Sequence, residues 1–153
     1  MAPAGAGEVA LITAVCIDDR NGLLFNGRRL SRDRAQQEDL LAFCRGKRLW
    51  MAPGSAPLFA GREAEIRVDR DFLDHAGTGE VCLMEDRLPE SCADRVEAVL
   101  LYRWNRTYPS DVRWDLDLTD FTLVEQLEFP GTSHERITRE LYQRKGHHGA
   151  AQK

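Results

Sequence analysis

Apolar and polar positions divide the first two thirds of the chain into short segments of two kinds. A continuous apolar run at 9–17 predicts a central strand that is buried on both faces, and the apolar tetrad 99–102 within 96–104 predicts a second buried strand. Between them, shorter apolar runs predict further strands, and segments with apolar residues at helical spacing predict helices. The additional strands are expected at 48–51, 65–68 and 80–84, and the helices at 33–44, 70–76 and 87–94. This alternation predicts a mostly parallel central sheet with helices on both faces.

The last third of the chain follows a different pattern, in which apolar and polar residues alternate between turns. Segments 112–118 and 121–129 therefore predict antiparallel strands with one face in solvent. The segment 134–142 leaves strand and helix open, because Ile137 and Leu141 fit either period. The sheet is thus expected to end in a C-terminal antiparallel hairpin.

The length of 153 residues suits one domain with a sizeable core. The element pattern places a single α/β domain at 9–145. Residues 1–8 are rich in Ala, Gly and Pro and lack the charged and apolar regions of a signal peptide. We predict a disordered lead at 1–8 and a disordered tail at 146–153.

Charge, hydropathy and cysteine spacing indicate which partners and which cellular compartment to expect. A formal net charge of -4 argues against non-specific nucleic-acid binding, which depends on a basic surface. No apolar run approaches the roughly 18 residues that span a bilayer, so no membrane partner is expected. The four cysteines are widely spaced, with no Cys-x-x-Cys pair. This spacing predicts reduced, buried thiols and a cytoplasmic protein.

Common catalytic and metal-binding motifs are absent from the sequence. His134 and Glu135 begin a zinc-type His-Glu-x-x-His motif, but Thr138 stands where the second histidine is required. The sequence also contains no phosphate-binding loop, no Gly-x-Gly-x-x-Gly and no Gly-x-Ser-x-Gly. We therefore predict no metal site.

Four arginines between positions 28 and 34 form the densest basic cluster of an acidic chain. Guanidinium groups bind carboxylates and phosphates in a bidentate manner, so this segment could hold an anionic ligand. The alternative is a solvated loop whose arginines pair with the nearby residues Asp18, Asp19 and Asp33.

Several motifs follow one another in a recognisable order across 9–145. They are an apolar strand that runs into an Asp turn, an acidic pair in the first helix, a strand ending in Met, a Gly-Arg pair and a late Ser-His. In this chain these are Ile12–Ile17 with Asp18-Asp19, Glu38-Asp39-Leu40, Leu49-Trp50-Met51, Gly61-Arg62 and Ser133-His134. Their order resembles that of dihydrofolate reductase, and the resemblance implies a dihydrofolate-reductase-like fold.

The departures from that family fall on its nicotinamide cofactor site. The Gly-Gly turn that approaches the pyrophosphate is Glu85-Asp86 here, and two carboxylates would repel that anion. The Gly-Arg-x-Thr helix start is replaced by Ala52-Pro53-Gly54-Ser55, without the arginine. We therefore expect no cofactor, and NADPH only if the chain is a reductase that holds it in an unfamiliar way.

The resemblance implies an acid in the substrate cleft and an arginine for the ligand's carboxylate. Alignment on the acidic pair gives Asp39 as the catalytic residue, whereas alignment from Met51 gives Gln36, and Asp33 shares a similar helix face. The remaining candidate ligand-binding residues are Arg62, Leu24, Phe25, Phe43 and Tyr102. Core packing is the alternative role for Tyr102, which shares a strand face with Leu100.

These inferences predict a divergent dihydrofolate-reductase-like protein that binds a small planar, anionic ligand, pterin-like or nucleotide-like, in the substrate cleft. Whether it is an enzyme stays open. One alternative is a nicotinamide-dependent reductase of a pterin-like substrate. The other is a non-catalytic interaction protein that docks a protein partner through the strand bearing Arg103 and Arg106.

Overall fold

The computed structural model describes residues 9–62 and 65–146. The predicted disordered segment 1–8 lies outside the described residues, and so does the predicted tail 146–153 apart from Gly146. Within these ranges a seven-stranded mixed sheet has the strand order β5-β4-β6-β1-β7-β10-β9. Its strands are β1 Leu11–Ile17, β4 Leu49–Met51, β5 Ile66–Val68, β6 Val81–Leu83, β7 Val96–Arg103, β9 Phe121–Phe129 and β10 Ile137–Arg144. Among the described residues no helix is long and apolar enough to cross a membrane.

Parallel pairing joins the first five strands of this order, and β10 is antiparallel to both β7 and β9. The prediction of a mostly parallel sheet that ends in an antiparallel hairpin is therefore confirmed. The open segment 134–142 is a strand, because β10 hydrogen-bonds to a neighbour on each side. Strand pairing of this kind overrides a pattern that local spacing leaves ambiguous.

The central strand β1 contributes to two cores, one on each face of the sheet. Leu11 and Val15 pack in a cluster with Phe72, which belongs to the short helix α2 Phe72–His75. Ala14 points to the opposite face and packs in a cluster with Leu40 of helix α1 Arg34–Phe43. Helices thus cover both faces, and β1 is buried on both, as the continuous apolar run predicts.

Helix α1 begins at a well-defined cap. The Asp33 carboxylate accepts hydrogen bonds from the backbone N–H groups of Ala35 and Gln36, which an isolated helix would leave without partners. Beyond the helix, Gly46 has a φ of 83°, a left-handed conformation that favours glycine, in the turn between α1 and β4.

Three predicted elements are shorter than expected by three residues or more, and one of them is the helix predicted at 70–76, which spans only Phe72–His75. The helix predicted at 87–94 consists of two 3-10 turns, Pro89–Ser91 and Ala93–Arg95, because Pro89 disfavours a helical conformation at Leu88, which is extended with a ψ of 164°. The strand predicted at 112–118 pairs only over Val112–Arg113, here named β8.

A small second sheet, which the pattern did not predict, packs through Leu23 and Leu24 in the core cluster that contains Leu11 and Val15 of β1. Its strands are β3 Arg28–Arg29, β2 Gly22–Phe25 and β8, in that order. Asn26 and Gly27 join β2 to β3 with φ values of 53° and 74°, as in the tight turns that connect two-residue hairpin loops. This β2–β3 hairpin carries Arg28 and Arg29, the first two arginines of the basic cluster.

Candidate functional site

A cleft of about 650 Å³ opens at the carboxyl ends of β4 and β6. Ala52 directly follows β4, and Glu85 and Asp86 follow β6, so the strand ends form its floor. The β2–β3 hairpin forms the opposite wall. The other lining residues are Leu24, Gly27, Arg28, Arg29, Ser31, Arg32, Gly54, Ser55 and Ser133. Open α/β sheets bind ligands at such strand ends.

An ion pair crosses this cleft and ties the hairpin to the floor. Arg29 Nε donates to Glu85 Oε1 at 3.2 Å, and Ser55 Oγ donates to the same oxygen at 2.5 Å. Arg29 Nη2 also donates to the Gly54 carbonyl oxygen at 2.9 Å. Glu85, which stands where the resemblance to dihydrofolate reductase would require a glycine, is thus paired with Arg29 inside the protein. Arg29 is therefore not available to a ligand as an unpaired charge.

Two other arginines of the cleft keep their charges available. Arg28 and Arg32 are exposed and form no ion pair with any described residue. The second acid of the floor, Asp86, is bound by its neighbour Arg87 at 2.7 Å. Both acids of the floor are therefore paired with arginines, and the unpaired Arg28 and Arg32 leave net positive charge on the hairpin side of the cleft.

A shallower depression of about 460 Å³ adjoins this cleft and shares Arg32 and Ser133 with it. Arg34 and Arg62 line the depression, and neither forms an ion pair within the described part of the chain. Arg62, predicted to hold a ligand carboxylate, thus lies beside the main cleft rather than in its wall.

The structure places only one of the predicted apolar walls in the cleft. Leu24 lines it and is 8% exposed. Phe25 follows on the same strand but does not line it, and is 43% exposed. Phe43 and Tyr102 pack in the core cluster on the α1 face. Gln36 is buried and also lies outside the cleft lining.

Asp39, the predicted catalytic acid, lies away from the cleft in a network of charged and polar groups. It accepts hydrogen bonds from the Tyr102 hydroxyl at 2.7 Å and from Arg139 Nη1 at 3.0 Å. Arg139 also pairs with Glu125 at 2.6 Å. Burial, together with the neighbouring Asp39 charge, raises the pKa of Tyr102 well above its usual value. This arrangement ties α1 to β7 and β10, and any chemical role of Asp39 stays a prediction.

Asp33 instead belongs to a buried polar cluster centred on His134. His134 Nδ1 lies 2.9 Å from Asp33 Oδ2, and its Nε2 lies 3.1 Å from Ser31 Oγ and 2.9 Å from the Tyr108 hydroxyl. The ring of Trp104 stacks on the imidazole with 4.5 Å between centroids. Ser31 lines the cleft, whereas Asp33 and His134 do not, so Ser31 connects the buried cluster to the cleft wall.

Hydrogen bonds keep the Asp33 carboxylate charged. Burial alone would raise its pKa, but donation from the Thr132 backbone, the His134 ring and the Ser133 backbone outweighs burial and holds the pKa well below its usual range. A charged carboxylate only accepts, so the hydrogen between Asp33 and His134 resides on Nδ1.

Local turns position the rest of this cluster. The backbone N–H of Tyr108 donates to Asp18 Oδ2 at 2.9 Å, and Asp18 also holds the turn after β1 through Gly22 at 2.7 Å. The backbone N–H of Gly131 donates to the His134 carbonyl at 3.0 Å. The sequence motifs singled out Asp18 as a turn residue and Ser133-His134 as a resemblance, but nothing in them linked Ser31 or Tyr108 to His134.

The four cysteines carry free thiols. Burial raises the pKa of Cys44 to about 12 and that of Cys82 to about 12. Among the described residues, no three or more His, Cys, Asp or Glu side chains come together in a way that could hold a metal ion.

Comparison with known proteins bears on the fold. No family model matches the sequence, and no curated protein matches it either. Among solved structures, the dihydrofolate reductase from Enterococcus faecalis complexed with NADP(H) and RAB-propyl superposes with a TM-score of 0.63. The match covers 89% of this chain and 96% of that chain, at 10% sequence identity. The chain has a dihydrofolate-reductase-like fold. At this identity the likeness concerns the fold alone, since one fold supports many functions.

Proposed function

We propose that this protein binds a small planar, anionic ligand, pterin-like or nucleotide-like, in the cleft at the carboxyl ends of β4 and β6. The observation that carries the proposal is that Arg28 and Arg32 line this cleft without a carboxylate partner among the described residues. Unpaired guanidinium groups in a concave site are suited to bidentate binding of a carboxylate or phosphate.

The dimensions and the apolar wall support a ligand of modest size. A volume of about 650 Å³ lies within the range of roughly 300–1,000 Å³ that is typical of small-molecule sites. Leu24 and Ala52 are buried hydrophobic residues of the lining and offer surface to a flat ring. Hydroxyl groups of Ser31 and Ser133 can orient its polar edge.

The residues at the floor of the cleft do not fit a dinucleotide pyrophosphate, and we propose that the nicotinamide site is lost. A pyrophosphate site needs backbone N–H groups at close approach and positive charge. Here the turn after β6 carries Glu85 and Asp86, and the Glu85 side chain is fixed by Arg29 and Ser55. A dinucleotide would have to displace that ion pair and accept a carboxylate against its phosphates.

A thermal-shift titration with dihydrofolate, reduced nicotinamide cofactor and a mononucleotide panel tests the proposal, with isothermal titration calorimetry on whichever probe raises the melting temperature. A shift with dihydrofolate or a mononucleotide supports it. A shift with the nicotinamide cofactor alone would favour the reductase. Absence of any shift would favour the interaction protein.

The Arg28→Ala/Arg32→Ala double variant identifies the site of binding. Hydrogen bonds to charged groups contribute about 1.5–3 kcal/mol each, so affinity should fall at least about tenfold. Arg45→Ala is the matched control, because Arg45 is also exposed but lies between α1 and β4, at the amino end of β4 and outside the cleft lining. Equal affinities of the double variant and the control would refute the site.

A further inference from the structure

Three side chains form a continuous hydrogen-bonded line that ends at the cleft wall. Asp33 Oδ2 lies 2.9 Å from His134 Nδ1, and His134 Nε2 lies 3.1 Å from Ser31 Oγ. The proposed binding function uses Ser31 only as a polar wall and leaves Asp33 and His134 unexplained. A carboxylate, an imidazole and a hydroxyl in this order are the groups that activate a serine for nucleophilic attack.

Of the three side chains, only Ser31 is accessible to a ligand in the cleft, because His134 and Asp33 are buried. The side chains of His134 and Asp33 are 1% and 0% exposed, and Trp104 stacks on the imidazole. The half-buried Ser31 lines the cleft, so a ligand in the cleft meets its hydroxyl and not the groups behind it. A buried, closely packed base keeps a fixed position relative to the hydroxyl that it would activate, which favours reaction at that hydroxyl.

The tautomer of the imidazole is the one that a base requires. Asp33 is held as a carboxylate by the backbone N–H groups of Thr132 and Ser133, at 3.0 Å and 2.8 Å. His134 must therefore donate from Nδ1 when neutral, which leaves the Nε2 lone pair available to accept a hydrogen bond from Ser31. Asp33 also stabilises the imidazolium that forms when Nε2 takes up this proton.

We propose that Ser31, His134 and Asp33 act as nucleophile, base and orienting carboxylate, and that the protein hydrolyses carboxylic esters in the cleft. Ser31 Oγ forms a bond to the ester carbonyl carbon while its proton passes to His134 Nε2. The bond to the leaving alkoxide then breaks, and His134 returns the proton to make the free alcohol. Water attacks the acyl-serine with His134 again as base, which releases the carboxylic acid and restores Ser31.

The preferred substrate class rests on the proposed function of the cleft. Arg28 and Arg32 provide unpaired positive charge in the same cavity, so an ester that carries a carboxylate or phosphate is expected to react in preference to a neutral one. The same charge favours the oxyanion that develops on the carbonyl oxygen.

Tyr108 competes with Ser31 for the base. Its hydroxyl lies 2.9 Å from the same Nε2, so the lone pair of His134 is shared between two donors in the resting protein. Removal of this hydroxyl leaves Ser31 as the donor to Nε2. The relay therefore predicts that Tyr108→Phe reacts at least as fast as the parent chain, whereas a purely structural cluster predicts no reaction in either.

Labelling with a fluorophosphonate probe tests the nucleophile directly. Ser31 Oγ should displace fluoride from phosphorus, and intact-mass analysis should show one adduct that peptide mapping assigns to Ser31. Ser31→Ala should lower the labelling rate about a hundredfold or more. The control is Ser91→Ala, since Ser91 is an exposed serine of a 3-10 turn outside the cleft. An adduct at another residue, or none on the folded parent chain, would overturn the proposal.

Hydrolysis of two nitrophenyl esters separates this proposal from the proposed binding function. Release of nitrophenol from the anionic hemisuccinate ester should exceed release from the neutral acetate ester, and Ser31→Ala should abolish both. Labelling at Ser31 with no preference for the anionic ester would support the relay and count against the anionic ligand. Slower labelling in Tyr108→Phe than in the parent would contradict the relay. Because site mapping uses the unsubstituted chain, the test does not depend on the folding of any variant.

Discussion

The two carboxylate oxygens of Asp33 have separate structural roles, and this separation gives a prediction about stability. Oδ1 caps helix α1 through the Ala35 N–H at 2.8 Å and accepts from the Thr132 N–H at 3.0 Å. Oδ2 accepts from the Ser133 N–H at 2.8 Å and lies 2.9 Å from His134 Nδ1. Asp33→Ala removes both roles, whereas Asp33→Asn can keep the first and lose the second.

The expected magnitudes follow from these contacts. Loss of the carboxylate leaves the buried donors that point at it without an acceptor, at about 1–3 kcal/mol for each, and loss of an N-cap alone costs about 0.5–2 kcal/mol. Because the same side chain provides both, these contributions overlap, and we expect Asp33→Ala to cost about 3–5 kcal/mol. Asparagine caps a helix as well as aspartate, so Asp33→Asn should lose only the charged bonds of Oδ2, about 1.5–3 kcal/mol.

Urea unfolding at neutral pH, followed by circular dichroism and by tryptophan fluorescence, measures these differences. The matched control is Asp71→Ala, because Asp71 precedes helix α2 but makes no side-chain hydrogen bond to it. The control should unfold at the urea concentration of the parent. The division of roles would be refuted if Asp33→Ala cost less than about 1 kcal/mol, or if Asp33→Asn cost as much as Asp33→Ala.

Four further measurements probe other parts of the fold. The native pKa of Asp33 lies below its unfolded value of about 3.9, so the contribution of its charge to the free energy of unfolding is fully present above that value. This contribution is lost as the pH falls toward the native pKa. Urea midpoints from pH 7 to pH 3 should therefore fall less steeply in Asp33→Asn than in the parent. Gly131→Ala would place a Cβ 2.5 Å from Asp33 Oδ2, and the resulting crowding should cost about 1–3 kcal/mol in the same urea assay. Asp39→Asn should lower the melting temperature but leave ligand affinity within about twofold, because Asp39 does not line the cleft; a tenfold loss in calorimetry would restore it as a ligand residue. Glu85→Ala should free Arg29 and strengthen anion binding about fivefold, whereas weaker binding would show that the ion pair shapes the site.

The architecture could be predicted from the sequence because it rests on continuous burial. The run at 9–17 contains β1, which is hydrogen-bonded on both edges and buried on both faces, and a continuous apolar run is typical of such a strand. The segment 134–142 could not be assigned, because its strand conformation depends on β7 and β9, partners distant in sequence. Where local spacing and pairing coincide, as at 121–129, the predicted bounds match the strand.

The candidate site was harder to predict, because it combines residues that no motif connects. The arginine cluster was visible as a run of charge, yet its place in the cleft depends on the hairpin turn at Asn26-Gly27, which orients β3 over the strand ends. The line from Asp33 to His134 joins positions about a hundred residues apart through the loop before β10. A single sequence shows the chemical type of each residue but not which distant residues lie close together in space. Asp39 was therefore preferred to Asp33 as the candidate acid, because it stands in a familiar acidic pair. Asp33 is the one that the fold connects to a serine in the cleft.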